Sequence, residues 1–323
     1  MSGTVFVFGS INADTSYRMS ALPLPGETVL ARAADVSPGG KGANQAIAAS
    51  AAGGISRMVG VVGDDAEGGP LLDALAARGV DTSGVSVRSG ARTGRAVVAV
   101  DDSGENAIIV LSGANELLDD AVAADGLCSL TAGDVVVLQN EVPASANRAA
   151  ARLARASGAT VIWNAAPAPV DPADLVDEVD LLVVNEHELT QIAALLGIGH
   201  SHAAAGHDRL AQLLALTVRA LTSSTGSAPD AICTLGGDGA LYLGAGRSGH
   251  IPAPPVHAVD TTAAGDTVVG YLAAHASLPL DERLHLASAA GALTVTRTGA
   301  SSSIPTLAEV EQSLARLTER TPI

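Results

Sequence analysis

A chain of 323 residues with net charge −16, 18 Lys and Arg against 34 Asp and Glu, is ill suited to tracking nucleic-acid phosphates, which takes an excess of cations. Hydrophobic residues make up 47% and aromatics only 2%, so the core must be built from Ala, Val and Leu, which fits tightly packed α/β layers better than a sandwich or a disordered chain. Apolar runs fall short of a bilayer span, Cys128 and Cys233 suggest no disulfide, and the N-terminus carries no charged-then-apolar leader, so the expected location is cytoplasmic with no membrane partner.

Thr4 to Gly9 is a short β-branched and aromatic run that reads as a buried first strand. The following Gly9-Ser10-Ile11-Asn12-Ala13-Asp14 lacks the glycine spacing of a dinucleotide fingerprint, which argues against hydride transfer. Glu27 to Val36 has strand character. Gly39-Gly40-Lys41-Gly42 invites a P-loop reading, but Lys41 precedes Gly42 rather than Ser or Thr, and the upstream Gly is missing. These segments offer polar groups on small-residue loops instead, Asn12 and Asp14 in one and Lys41 and Asn44 in the other, able to span neighbouring hydroxyls of a polyol. A turn with a helix cap would use the same residue types.

Arg95 to Val100 and Asn106 to Leu111 flank the turn Asp101-Asp102-Ser103-Gly104 and form an antiparallel unit. Further on the pattern is regular. Strands at Asp134 to Leu138, Thr160 to Trp163, Leu181 to Val184 and Ala231 to Leu235 alternate with helices at Ala144 to Ala156, Glu188 to Leu196 and Asp208 to Leu221. Such alternation predicts a parallel sheet covered by helices, with sites beyond the carboxyl ends of its strands. Gln139 to Glu141, Asn164 to Pro169, Asn185 to Glu188 and Thr234 to Gly239 all fall there. Gly197 to His207 and Ser223 to Ala228 read as loops, and the spacing of His200, His202 and His207 matches no recognised zinc pattern.

Asn185-Glu186-His187-Glu188 opens a helix, so an N-cap followed by acids explains it. The same residues could serve a nucleotide phosphate at Asn185 and a water-held magnesium ion at Glu188. Thr234 to Gly239 is either a hairpin turn before Ala240 to Leu243 or a glycine surface for a nucleotide. Val259 to Gly270 carries the most chemistry. An apolar run ends at Asp260, small residues follow at Ala263, Ala264 and Gly265, and Asp266 opens a stretch of helical length. Backbone amides at a helix N-terminus attract an anion, and Asp266 stands where it can take a proton from a hydroxyl. Phosphoryl transfer to an alcohol needs those parts.

Together these segments resemble the ribokinase branch of the PfkB carbohydrate kinase family over essentially the whole chain. The resemblance rests on Gly9 to Asp14, Gly39 to Gln45, Thr93-Gly94, Gln139 to Glu141, Asn164 to Pro169, Asn185 to Glu188, Thr234 to Gly239, Asp260 to Thr267 and Val295 to Ala300, in family order. It implies a ribokinase-like three-layer α/β sandwich, a mainly parallel central sheet with a small antiparallel β lid from about residues 15–37 and 93–112, all within one domain spanning 1–323.

The resemblance also implies roles. Asn12, Asp14, Gly40, Lys41, Asn44 and Glu141 would surround the sugar, with Asp266 the base for its 5-hydroxyl. Ala263, Ala264 and Gly265 would form the anion hole. Asn185, Thr234, Gly236 and Gly239 would hold ATP, with Ser288 near the adenine, and Glu188 would order Mg2+. A monovalent cation, K+, would be bound by Asp260, by backbone oxygens of Thr262, Thr294, Arg297 and Gly299, and by the Ser303 side chain. Two lids would pair into a homodimer. Val268-Val269 replaces the family's usual Phe and small or amide residue, and Ala263 replaces the more usual Gly. Ribose is favoured over nucleosides because few aromatics remain to stack on a base, Phe6 and Phe8 being in the first strand. Deoxyribose, fructose or a similar small sugar shares most of these positions, and a sugar-binding regulator without catalysis is the alternative of another class.

Overall fold

Thr4–Phe8 forms β1, in which Val5 and Val7 join one apolar layer while Phe6 and Phe8 join the other. A strand buried on both faces reads as an unbroken apolar run, and this one does. The computed structural model describes residues 3–102, 105–199, 206–222, 228–244 and 246–320.

After β1 come β2 (Asn12–Arg18), β3 (Ala33–Gly39), α1 (Lys41–Ala51), β4 (Ile55–Gly63), α2 (Gly68–Ala77), β5 (Asp81–Arg88), β6 (Gly94–Val100) and β7 (Asn106–Leu111). The middle of the chain supplies α3 (Asp120–Gly126), β8 (Val135–Gln139), α4 (Ala144–Ser157), β9 (Thr160–Asn164), β10 (Leu181–Asn185), α5 (Glu186–Leu195) and α6 (Gly206–Ala220). It ends with β11 (Asp230–Thr234), β12 (Ala240–Gly244), β13 (Arg247–Ile251), α7 (Ala264–Ala274), α8 (Leu280–Thr294) and α9 (Leu307–Arg320).

Among the described residues the large sheet runs β13-β12-β11-β10-β9-β8-β1-β4-β5. It is parallel from β11 to β5, with β12 and β13 added antiparallel. One face is covered by α1, α2, α7, α8 and α9 and the other by α3, α4, α5 and α6, which makes the three-layer α/β architecture. The chain leaves β1 for β4 and β5 on one side and returns at β8 on the other, so the strand order reverses between β1 and β8. Open α/β sheets bind ligands at that crevice.

Helix α7 rests on α1 at very close range. A Cβ on Gly270 would lie 2.4 Å from Ala48 Cβ and 2.7 Å from Gln45 O, so only glycine permits the approach. Asp266 lies one turn earlier on the same face and is thereby pressed against α1.

The second sheet has the order β3-β2-β6-β7 and forms the lid. Two antiparallel pairs, β2 with β3 and β6 with β7, are joined through the parallel pair β2–β6. Two expectations need correction here. Gly9 to Asp14 is not all loop, because β2 begins at Asn12. Glu27 to Val36 is strand only from Ala33, because Ala33–Gly39 already pairs with all seven residues of β2, and upstream of it only the Arg32 N–H still reaches that strand, at Arg18 O. Ser103 and Gly104 of the hairpin turn, residues 200–205 with His200 and His202, and residues 223–227 lie outside the described residues.

Candidate active site

Asp266 is the third residue of α7 and is buried. Its Oδ2 accepts from Asn44 Nδ2 at 3.1 Å and its Oδ1 from Gln45 Nε2 at 2.9 Å. Burial pushes this carboxyl above its ordinary range, Lys41 and the two amides pull it back, and Glu141 adds to the rise. Lys41 shows the reverse balance. Burial alone would lower its ammonium, but Asp266, Glu141 and Glu188 outweigh that and hold it above its usual value.

The loop after β8 closes onto α1. Glu141 Oε2 accepts from the Lys41 N–H at 2.9 Å and from Ser10 Oγ at 2.6 Å. Gly40 at the N-cap has no side chain for that purpose, so a carboxylate 100 residues away caps the helix instead. Asn12 is held by Asn115, whose Nδ2 donates to Asn12 Oδ1 at 2.7 Å and whose Oδ1 accepts from the Ile11 N–H at 2.9 Å. Burial, then Glu141, then Asp266 push the Asp14 carboxyl up to about 7. Asp14 Oδ1 and Asn44 Oδ1 are both buried without a hydrogen-bond partner. Native structures rarely leave such acceptors unpaired, and hydroxyl donors of a bound polyol would satisfy them.

Two cavities meet at α7. The first, of about 230 Å³, is lined by Lys41, Asn164, Asn185, Glu188 and Asp266 among others. The second, of about 310 Å³, has walls of small and apolar residues including Gly236, Gly239, Pro254, Val256 and Ser288. Thr234, Thr261 and Gly265 line both, so the helix N-terminus stands at the junction. Ala263, just before α7, is held at φ 60°, the left-handed region that costs a residue with a Cβ roughly 1 kcal/mol. The Ala264 N–H turns back to Thr261 O at 3.3 Å. The N–H groups of Gly265 and Asp266 have no acceptor among the described residues, as the first turn of a helix dictates.

Asn185 and Glu188 form a capping box. Asn185 Oδ1 accepts from the Glu188 N–H at 2.8 Å, and Glu188 Oε2 accepts from the Asn185 N–H at 2.8 Å. The cap expected from the sequence is present, and the same two residues line the first cavity. Burial pushes the Glu188 carboxyl up, against the Asn185 N–H, Lys41 and His187. Among the described residues no three His, Cys, Asp or Glu side chains converge on a metal site. A lone carboxylate with Oε1 to spare suits a magnesium ion that keeps most of its water.

Asp260 ties two loops together, its Oδ1 accepting from the Thr262 N–H and its Oδ2 from the Gly299 N–H, each at 2.9 Å. Burial works against its ionisation, but Thr262, Gly299 and Arg18 outweigh that and hold it below the usual carboxylate range. Thr294 O accepts the Arg297 N–H at 3.1 Å, and the buried Ser303 Oγ donates to Ala300 O at 2.7 Å. An anionic carboxylate whose bonds leave lone pairs free is an oxygen donor of the kind a large monovalent cation takes.

The Thr234 to Gly239 segment is a hairpin turn between β11 and β12 and also a wall of the larger cavity. His207 lies beside this turn, 3.9 Å from the Asp238 carboxylate, and His250 Nε2 approaches Asp238 O at 2.6 Å. No role is legible in the sequence for Ser10, Gln45 and Asn115, which hold Glu141, Asp266 and Asn12, or for Asn164, which bonds Gln45. Ser10, Gln45 and Asn164 stand inside the segments that carry the family resemblance, and Asn115 carries no local signal.

Helix amides and a buried carboxylate at the junction of two cavities, on a three-layer α/β fold with a lid, define a phosphotransferase class in which a small alcohol receives the group. Residues 2–307 match the family described as pfkB family carbohydrate kinase, and the chain belongs to that family. The chain is similar to the ribokinase of Schizosaccharomyces pombe, with 37% identity over 321 residues that cover 96% of this chain and 97% of the relative. The solved ribokinase of Thermotoga maritima is similar at a TM-score of 0.84 and 32% identity, covering 97% of this chain and 99% of that one. The ribokinase of Arabidopsis thaliana, solved in complex with ribose and ATP, is similar at a TM-score of 0.81 and 29% identity, covering 97% and 98%.

Proposed function

We propose that the protein phosphorylates D-ribose at its 5-hydroxyl with ATP, giving ribose 5-phosphate and ADP. The observation that carries this reading is the pair of buried, unpartnered acceptors, Asp14 Oδ1 and Asn44 Oδ1, beside a carboxylate at a helix N-terminus. Similarity to proteins named ribokinase, one of them solved with ribose and ATP, supports it.

Asp14, Asn44, Asn12, Gly40, Lys41 and Glu141 bind and orient the sugar. Asp266 takes the proton of the 5-hydroxyl while the oxygen bonds to the γ-phosphorus. The bond from that phosphorus to the β–γ bridging oxygen breaks, and ADP leaves. Gly265 and Asp266 amides, with the neighbouring backbone at Ala263 and Ala264, face the charge on the transferring group. Asn185, Thr234, Gly236, Gly239 and Ser288 hold the nucleotide. Glu188 would hold magnesium through water, and that ion, when bound, neutralises phosphoryl charge. Asp260, Thr262, Thr294, Arg297, Gly299 and Ser303 would hold potassium, which, when bound, fixes the loop leading into α7.

The lid exposes Val36, Ile109 and Leu111, an apolar surface that suits pairing with a second lid in a homodimer. A cytoplasmic location follows from the need for ATP. The test is a panel of ribose, deoxyribose, fructose and related sugars with MgATP, with and without potassium, followed by ADP release. Ribose-dependent turnover that rises with potassium is expected. Turnover confined to another sugar would replace the substrate, and binding without turnover would favour a sugar-binding regulator.

A further inference from the structure

We infer that Gln45, anchored through Asn164 to the central sheet, is a positioning residue that holds Asp266 as an ionised acceptor. The inference rests on the reading of Asp266 as the base. Gln45 is fully buried on α1. Both of its amide hydrogens are committed, since Nε2 donates to Asp266 Oδ1 at 2.9 Å and to Asn164 Oδ1 at 3.0 Å. Asn164, at the end of β9, donates through Nδ2 to Val183 O of β10 at 3.2 Å.

These bonds fix the polarity of the whole series. The Val183 carbonyl accepts only, so Asn164 must turn its NH2 towards β10 and its oxygen towards Gln45. Gln45 must then present nitrogen to both neighbours. Were its amide reversed, Oε1 would face two acceptor oxygens. Its Oε1 is instead buried without a partner, so the orientation is kept even though it strands an acceptor. Asp266 therefore meets one donor on each oxygen, Gln45 on Oδ1 and Asn44 on Oδ2, an arrangement that favours the carboxylate over the carboxylic acid.

The rest of the surroundings gives this contact its weight. Asp266 is faced by Lys41 and Asn44 as well as Gln45 from α1, and by the carboxylates of Asp14 on β2, Glu141 after β8 and Glu188 on α5. One cation stands against burial and three like charges, so the amides help decide whether the base is free to accept a proton at neutral pH. Gln45 lies outside the sets of residues read as touching sugar, nucleotide or metal.

The experiment compares Gln45→Met, which keeps length and removes the donor, with Asn164→Ala, which cuts the series at its far end, and with Asp266→Asn. Circular dichroism checks folding, ribose affinity is measured by calorimetry, and kcat is followed from pH 5 to 9, a span of about four units around the titration range of a buried carboxyl. Gln45→Met should move the acid limb of kcat upward by about one pH unit, which lowers kcat about tenfold at pH values on that limb, with ribose affinity little changed. Asn164→Ala should shift the limb the same way by less, and it decides the matter if Gln45→Met does not fold. An unmoved acid limb in a folded variant would overturn the inference while leaving the base in place, provided that Asp266→Asn is inactive. Near-normal turnover in Asp266→Asn would instead overturn the base reading itself.

Discussion

Asp14 and Gly39 are packed across the lid sheet so closely that a Cβ on Gly39 would lie 1.9 Å from Asp14 Oδ2. Strand β3 thus omits a side chain where β2 turns a carboxylate inward. Gly39→Ala should displace Asp14 and raise KM for ribose about 10- to 100-fold, the equivalent of one lost buried hydrogen bond, with less effect on kcat at saturation. Steady-state kinetics over ribose concentration provides the check, and an unchanged KM would remove Asp14 from the sugar site.

Asp266→Asn should lower kcat by about 10²- to 10⁴-fold, the usual contribution of a general base. The substitution also sets an NH2 group against the donors of Asn44 or Gln45, so a fall in thermal midpoint should accompany the kinetic loss. Calorimetric ribose titration should find affinity changed much less than rate.

The raised Asp14 carboxyl ties stability to pH. Its value moves from 3.8 to about 7 on folding, so between those values the folded chain binds more protons than the unfolded one. The contribution of this group to stability is then full below the lower value and declines as pH rises towards the upper one. Asp14→Asn should flatten that decline in urea unfolding curves between pH 5 and 8, over about three pH units. Ribose that pairs with the ionised form should release protons near neutral pH, seen as a buffer-dependent binding enthalpy. A binding enthalpy independent of buffer would contradict it.

Glu188 serves a helix cap and lines a cavity, and two substitutions separate those roles. Glu188→Gln keeps an oxygen for the Asn185 N–H and should leave stability within about 0.5 kcal/mol, whereas Glu188→Ala should cost about 0.5 to 2 kcal/mol. Both should raise the magnesium concentration needed for half-maximal rate. Thermal unfolding and magnesium titration of activity give the two readouts.

Much of this protein is legible in its sequence because the relevant forces are local or periodic. Strands β8, β9, β10 and β11 are buried on both faces and so appear as short apolar runs, and the helices between them follow from spacing. The Asp260 to Asp266 stretch likewise announces small residues, a helix start and a carboxylate without reference to anything distant. Strand β2 does not, because Asn12–Arg18 is polar, only partly buried and paired on both sides within the lid, so it has no apolar period to detect.

The sequence by itself determined the sheet order's raw material, the loops at the strand ends and the acid at the start of α7. Only the tertiary structure decided what surrounds that acid. Asn44 and Gln45 reach Asp266 across 222 and 221 residues, and Glu141 caps α1 from 100 residues away. Hydrogen-bond direction at those points depends on how closely α7 packs on α1 at Gly270 and on which carbonyl of β10 meets Asn164. Residue type and spacing do not encode such distances locally, because they arise only when the whole core has closed.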